Sequence, residues 1–241
     1  MKAIFWAVCL VLAGCGGQPM QPDGDQLAAI ASRHPIKARM LVLATNEWNF
    51  FGQQRVVYLD EEESIPHVGF WEDDDPEHSY RVNRYWQAAG RPTITGEDCR
   101  QSWSAAFISW VMGAAGVPQY QFPPAEAHWI YVTHIIRQAD EFQSDFVPHG
   151  IKSYRPKPGD LICAGRGPSA PLLQHYPLNW RLFQYTPMHC DIVVARKGLT
   201  LEAIGGNVRN SVSKSILTLD RDGYLQPTPR RPWFLVIENR L

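Results

Sequence analysis

The sequence lacks a hydrophobic run long enough to serve as a permanent membrane span. Its N-terminal apolar run, from Ala3 to Ala13, is shorter than the about 20 residues that a spanning helix needs. With one positive charge before it, at Lys2, the run is typical of a secretory signal. An excess of basic residues is also lacking, since the formal net charge is -1, so electrostatics gives no reason to expect a nucleic-acid partner.

Cysteines are too few for a disulfide framework. Of the five, Cys9 lies in the expected signal and Cys15 at its end, which leaves Cys99, Cys163 and Cys190. Three cysteines cannot all pair, and the sequence has no CxxC spacing that would indicate zinc. Cys163 and Cys190 lie in two strand-like runs and could pair in an oxidising compartment, although the sequence leaves both states open. We expect no metal and no other cofactor.

The apolar run ends in the string LAGC at residues 12–15, which resembles the lipobox of bacterial lipoproteins. The resemblance implies a signal peptide over residues 1–14, cleavage before Cys15 and lipid attachment to its thiol. Several acyl chains on one residue anchor a protein stably, whereas one chain does not. Gly16, in place of an aspartate, implies the outer membrane, with the protein facing the periplasm. The alternative is an ordinary signal peptide with a chance cysteine.

Behind this N-terminus we expect one domain on a tether. The tether is predicted over residues 15–34, where the string GGQPMQPDGDQ has no apolar periodicity and is rich in Gly, Pro and Gln. The remaining residues, 35–241, suit one domain with a sizeable core and contain no internal repeat. Their many aromatic residues are consistent with a packed core or a carbohydrate-facing groove.

Periodicity predicts helices in the first part of this domain and short strands in the second. An α+β domain with N-terminal helices packed on a C-terminal antiparallel sheet is therefore expected. The acidic segment 60–78 is predicted to be a solvated loop, since its carboxylates do not have the spacing of a calcium loop. The predicted helices cover residues 35–52, 79–90, 102–117 and 124–142; the predicted strands lie within 156–165, 188–196, 199–207, 211–220 and 231–241.

Three polar residues occur in the order that a covalent hydrolase could use. Ser104 lies in the first turn of a predicted helix, where unsatisfied N–H groups and the helix dipole favour a developing anion. His189 begins one predicted strand and Asn207 ends the next, after two glycines that would let the backbone turn tightly. If the strands form a hairpin, Asn207 could orient the imidazole of His189 as the base for Ser104.

Four short motifs resemble, in the same order, those of the papain-like cell-wall hydrolases called CHAP domains. In those domains a cysteine stands at the position of Ser104, so a serine nucleophile here would have to lose its proton to His189 during attack. The resemblance also makes Trp103 and Asp160 candidate binding residues. The motifs are Trp103-Ser104-Ala105-Ala106-Phe107, Pro158-Gly159-Asp160, His189 and Gly205-Gly206-Asn207.

A closer resemblance, to the bacterial family termed domain of unknown function 2272, rests on the strings EWNFFG, RYW and SWSAAFISWVM and extends from about residue 36 to the end. From the wider CHAP-like group it implies hydrolysis of an amide bond in peptidoglycan, in the stem peptide or at the sugar–peptide linkage. Ser104, His189 and Asn207 would be catalytic. The alternative is an inactive envelope lipoprotein that binds peptidoglycan or a protein partner in the same groove.

Other residues offer competing interpretations. Ser104 could also be a structural serine at a helix start, and Cys99 is a second candidate nucleophile five residues before it. Glu202 competes with Asn207 as the orienting group. Asp191 shares a strand face with His189, which suggests a metal pair but supplies only two ligands. His128 and His134 do not share a helix face and are expected to be partly buried, while Asp160 more often caps a turn.

Overall fold

The computed structural model describes residues 24–97, 101–141, 144–168, 170–175 and 177–241, without the side chains of Asp25 and Leu172. The signal peptide, Cys15 and residues 16–23 of the tether lie outside these ranges, and so does Cys99. None of the helices in the described ranges is long and apolar enough to cross a membrane.

Seven helices occur in the described residues, and four of them match predicted ones. The short α6 and α7 lie between the predicted strand segments 156–165 and 188–196, and they were not predicted. The bounds are α1 Gly24–Arg33, α2 Pro35–Phe50, α3 Pro76–Ala88, α4 Ser104–Ala115, α5 His128–Glu141, α6 Ala170–Leu173 and α7 Trp180–Phe183.

Helix α1 was not expected, because its residues fall within the predicted tether. Leu27 and Ile30 nevertheless recur on one face and pack against the main core. The tether prediction over 15–34 is thus replaced by a packed helix for residues 24–33. Only two large apolar residues occur in this ten-residue segment, which is too few to establish a helical periodicity.

The strands form one eight-stranded sheet in the order β2-β1-β7-β6-β5-β4-β8-β3. All neighbouring pairs are antiparallel except β1 and β7, which run parallel. The bounds are β1 Arg55–Leu59, β2 Glu62–His67, β3 Phe146–Gly150, β4 Leu161–Gly165, β5 Met188–Lys197, β6 Thr200–Val208, β7 Ser211–Thr218 and β8 Trp233–Asn239.

The α+β class is confirmed, but the edge strand β3 was not predicted, and two further corrections concern the sheet as a whole. It is mixed rather than antiparallel, and its β1–β2 hairpin precedes α3 instead of following the helices. The acidic segment 60–78 is therefore not simply a loop, since β2 and the start of α3 lie within it. Val56 and Tyr58 are buried on alternate positions of β1, a pattern too short to stand out before the acidic run.

The core lies on both faces of the sheet. The larger cluster fills the space between the long helices and one face, and α4 is apolar on nearly all sides because it is enclosed there. A smaller cluster around Val56, Tyr58 and Trp233 covers the opposite face. Helix α4 contacts β6 and β5, so its first turn lies directly above the strands that carry His189 and Asn207.

Cys163 and Cys190 lie opposite one another on β4 and β5 and form a disulfide bond. Their strands place the two Cα atoms 4.1 Å apart, within bonding reach of the side chains. The question that the sequence left open is thus answered by strand register. The bond adjoins the next pair along the ladder, Ala164 and His189, and ties together the two strands behind the candidate site.

Candidate functional site

Ser104 is the first residue of α4, as predicted. The N-cap is Trp103, which makes no side-chain cap, and the first backbone hydrogen bond of the helix runs from the Phe107 N–H to the Trp103 carbonyl. The N–H groups of Ser104, Ala105 and Ala106 therefore precede the intrahelical ladder. This turn combines a hydroxyl with the positive end of a 12-residue helix.

The partner of Ser104 is a histidine that the sequence analysis set aside. The Oγ of Ser104 lies 2.6 Å from Nε2 of His128, the first residue of α5. The Nδ1 of His128 hydrogen-bonds the hydroxyl of Tyr131, one turn further along α5. When that nitrogen donates its proton to Tyr131, the Nε2 lone pair accepts from Ser104. Ser104 is 3 % exposed and His128 4 %, so this chain of contacts is buried.

His189 forms a second buried pair, with a carboxylate from its own strand. Its Nε2 lies 2.6 Å from Oδ1 of Asp191, and the other oxygen of Asp191 accepts from the Ser215 hydroxyl at 3.3 Å. Residues two apart on a strand project from the same face, which is why His189 and Asp191 meet. The Nδ1 of His189 is buried and has no hydrogen-bond partner among the described residues.

The two histidines belong to one cluster, since the ring centroids of His128 and His189 are 5.3 Å apart. Burial lowers the pKa of His189 to about 4, against the pull of Asp191, and Arg231 lowers it further. Burial and the nearby His189 also hold the pKa of His128 well below its usual value. Both rings are therefore neutral at pH 7 and can accept a proton from a hydroxyl.

Asp191 remains a carboxylate in this setting. Burial alone would raise its pKa, but His189 and Arg231 hold the value below the usual range. An ionised Asp191 accepts the Nε2–H of His189, which fixes the tautomer with its lone pair on Nδ1. The pair thus has the arrangement that an imidazole base needs, with a negative group behind the ring.

Two glycines of β6 let the helix and the histidine pair come this close. A Cβ on Gly205 would overlap the Asp191 carboxylate and lie 3.1 Å from Nε2 of His189. A Cβ on Gly206 would overlap the side chains of Phe107 and Trp103 at the start of α4. The prediction that these glycines form a tight turn is wrong, since β6 continues through both of them to Val208. Their role is close approach of backbone to side chain.

Asn207 does not orient His189 in the structure. The β5–β6 hairpin forms as predicted, but Nε2 of His189 is taken by Asp191, and its Nδ1 has no partner in the described chain. Asn207 has a left-handed backbone, φ 53°, where the β6–β7 register shifts, and it lines a neighbouring cavity. The two-residue periodicity of β5 could have indicated Asp191 as the group that orients His189, but the sequence analysis considered Asp191 only as a metal ligand.

Other predicted site residues take structural positions. The buried indole of Trp103 donates to the Glu72 carboxylate. Asp160 accepts from the backbone N–H groups of Lys157 and Asn239 at 2.8 and 3.0 Å. It directly precedes β4, whereas Ala164, which pairs with His189, lies near the other end of that strand. Trp103 is therefore part of the buried core, and Asp160 stabilises a turn.

The remaining alternatives are also accounted for. Glu202 forms ion pairs with Lys197 and Lys214, and His134 bonds the Tyr120 carbonyl. Within the described ranges no group of three or more His, Cys, Asp or Glu residues could hold a metal ion, and the Asp191–His189 pair is a hydrogen-bonded dyad. His128 was missed because nothing in the local pattern of α5 indicates that its N-terminus approaches that of α4.

The sequence was compared with protein families, curated proteins and solved structures. The model of an uncharacterized protein family conserved in bacteria, DUF2272, matches residues 67–239. The chain belongs to this family. The match extends from the end of β2 to the end of β8 and includes Ser104, His128, His189 and Asp191. No curated protein and no solved structure matches the chain.

The buried His189 predicts a pH-dependent stability. Because its pKa is about 4 in the native protein and about 6.5 when exposed, the unfolded chain binds more protons between these values. The contribution of His189 is complete above about pH 6.5 and is lost as the pH falls towards 4. We expect the difference in unfolding free energy between wild type and His189→Gln to shrink by up to about 3 kcal/mol from pH 7 to pH 4, measured by urea unfolding.

The difference between the two proteins is the relevant quantity, because Asp160 has the opposite effect. Burial raises its pKa to about 6, so its contribution is present at low pH and lost as the pH rises. Asp160 is unchanged in both proteins and cancels. The control is Ser153→Ala, which removes no titratable group, so its difference from wild type should stay constant with pH. A constant difference for His189→Gln as well would contradict the prediction.

Proposed function

We propose that this protein is a hydrolase of the cell envelope that cleaves amide bonds of peptidoglycan with Ser104 as the nucleophile. The observation that carries the proposal is the Ser104 hydroxyl, 2.6 Å from an imidazole nitrogen at the start of a helix and beside a buried His–Asp dyad. A nucleophile, a base and an orienting group within one cluster are the parts that acyl transfer requires. Peptidoglycan is proposed because residues 12–15 resemble a lipobox and Gly16 follows it, which would anchor the protein by lipid in the outer membrane, facing the periplasm.

His189, rather than His128, is proposed as the base. A base that takes the Ser104 proton becomes an imidazolium, and Asp191 is the negative partner that stabilises it. His128 has only the neutral hydroxyl of Tyr131 behind it. Its role would be to hold the Ser104 hydroxyl in the resting protein. For the reaction, the hydroxyl would turn from His128 to Nδ1 of His189, which has no partner among the described residues.

The reaction then follows from these positions. Ser104 Oγ attacks the amide carbonyl while its proton passes to Nδ1 of His189. The oxyanion that forms faces the N–H groups at the start of α4, which have no side-chain cap to compete with it. His189 returns the proton to the departing amine as the C–N bond breaks. A water molecule, deprotonated by the same ring, then attacks the ester, and the ring gives that proton to Ser104 Oγ as the acyl group leaves as a carboxylic acid.

The order of these parts also supports a papain-like, CHAP-type assignment. The nucleophile begins a helix, the histidine begins β5, and that helix packs on β5 and β6. Asp191 takes the orienting place that the resemblance gave to Asn207. In CHAP domains the nucleophile is a cysteine, so the proposal replaces a thiolate with a hydroxyl that is deprotonated only during attack.

A non-catalytic role is the second candidate, and one observation favours it. The side chains of Ser104, His128 and His189 are each at most 4 % exposed, so a substrate carbonyl needs local opening to reach the hydroxyl. A protein without turnover could bind peptidoglycan or a protein partner on the same face. The serine would then be a remnant of a cysteine site.

The test is incubation of the purified full-length protein, in detergent, with muropeptides, followed by mass spectrometry of the products. We expect Ser104→Ala to lower the rate at least about a thousandfold and His189→Ala to have a similar effect. His128→Ala should cost less, since His128 only holds the hydroxyl. Ser153→Ala, which removes an exposed hydroxyl bonded to the Gly150 carbonyl, is the matched control.

Ser104→Cys separates the two candidate functions. Products from wild type that disappear in Ser104→Ala support a serine hydrolase. Products from Ser104→Cys alone would identify an inactive descendant of a cysteine enzyme. Retained muropeptide binding without products from either protein would overturn the hydrolase proposal in favour of the binding module.

A further inference from the structure

A cavity of about 430 Å³ adjoins the histidine cluster and is lined by an unusual share of arginines. It lies between the residues before α4, the ends of β4 and β6, and the segment before β8. Its charged lining residues are four arginines and one glutamate: Arg166, Arg209, Arg230, Arg231 and Glu63. In a chain of formal net charge -1, this cavity is a concentrated positive site.

The positive charge of the cavity is not balanced from within. Glu63 pairs with Arg209, Nε to Oε1 at 2.7 Å. Arg166, Arg230 and Arg231 make no ion pair with any residue that the structure describes. The other lining side chains, including Asn207 and Ser102, are neutral hydrogen-bonding groups. The lining therefore offers donors and positive charge to an anion.

Arg231 is the most informative of the four. It is only 7 % exposed, and its Nε donates to the Tyr58 hydroxyl at 2.9 Å. Burial raises the pKa of Tyr58, so that partner stays neutral. The charge of Asp191 acts on this guanidinium, but no described carboxylate is in ion-pair contact with it, and a bound anion would offset the remaining cost of withdrawing it from water.

The cavity reaches the reacting groups. Ser102 lines it, and the Oγ atoms of Ser102 and Ser104 are 3.5 Å apart. Gly165, also in the lining, follows Ala164, which pairs with His189 across the sheet. An anion in the cavity would therefore lie a few atoms from the carbonyl that Ser104 attacks.

We propose that the arginine cavity binds a carboxylate of the substrate, so that the preferred substrate is an acidic peptide with a free carboxylate close to the cleaved amide. This proposal rests on the proposed hydrolase function and specifies its substrate class. The planar guanidinium of arginine matches a carboxylate with two parallel hydrogen bonds. A peptide held in this way fixes the distance from its anionic group to the amide at Ser104.

The experiment measures binding, so that it does not depend on turnover. Full-length Ser104→Ala protein is titrated calorimetrically with a muropeptide and with the same muropeptide whose carboxylates are converted to amides. We expect Arg166→Gln and Arg230→Gln each to weaken binding of the acidic form about ten- to a hundredfold and to leave the amide form unchanged. Arg166 and Arg230 are exposed, so their loss should not prevent folding, and Arg33→Gln on α1 is the control.

The outcomes distinguish this proposal from the hydrolase proposal. Tighter binding of the acidic form that depends on the cavity arginines supports the carboxylate site, even if wild type gives no products. Products from wild type combined with equal binding of both forms would overturn the carboxylate site alone. Inorganic phosphate, tested as a competitor, should bind more weakly than the acidic muropeptide; binding of phosphate without preference for the acidic form would also overturn it.

Discussion

Asp191→Asn is expected to lower the rate of muropeptide hydrolysis about ten-thousandfold without unfolding the protein. Asn has nearly the shape of Asp, but its amide cannot supply the charge that stabilises an imidazolium on His189. It can also donate to Nε2, which would move the ring proton to Nδ1 and leave no lone pair facing the hydroxyl. The rate is measured with the full-length protein and muropeptides, and folding is checked by circular dichroism.

Glu202→Gln is the matched control for this prediction. Glu202 was the carboxylate that the sequence suggested, as a rival to Asn207, for orienting the imidazole, but it is engaged by Lys197 and Lys214. We expect a rate close to that of wild type. If Asp191→Asn hydrolysed muropeptides at an unchanged rate, His189 would not be the base, and His128 would be the remaining candidate. A His128→Ala rate lower than that of His189→Ala would lead to the same correction.

Gly205→Ala is expected to lower the free energy of unfolding by about 3–5 kcal/mol, because displacing Asp191 leaves a buried carboxylate without the neutral imidazole that donates a hydrogen bond to it. The added methyl group overlaps Oδ1 of Asp191, whose other oxygen is held by Ser215. The carboxylate cannot move aside without losing His189, because all three side chains are buried. The change is measured by urea or thermal unfolding.

Gly113→Ala provides the comparison for the glycine substitution. Gly113 lies on the exposed side of α4, and a Cβ there meets no atom within 4 Å. Because alanine favours a helix more than glycine does, stability should rise by up to about 1 kcal/mol. If Gly205→Ala were as stable as wild type, the packing of Asp191 against β6 would not be a constraint on the site.

The sequence was sufficient for the features that depend on local pattern. Helical periodicity around Trp103, Phe107 and Val111 predicted α4 and placed Ser104 in its first turn, where the structure has it. The strand-like runs predicted β4 to β8, and alternation on β5 would have been enough to pair His189 with Asp191. These features follow from spacing of 3.6 or 2 residues within a single element.

Features that depend on contacts between distant elements could not be predicted from local sequence pattern. The short β1 acquires its place by pairing with β7, and α1 by packing Leu27 and Ile30 on the core, so neither needs a strong pattern of its own. The Cys163–Cys190 bond depended on strand register, which two cysteines in separate runs do not specify.

The candidate site illustrates the same division. Local pattern selected Ser104 and His189, one from a helix start and one from a strand start. Only the packing of α5 against the sheet brought His128 to the Ser104 hydroxyl, and only the bulge near the end of β6 turned Asn207 towards the arginine cavity. Contacts between residues far apart in the chain depend on how whole elements pack, and the pattern within each element does not encode that packing.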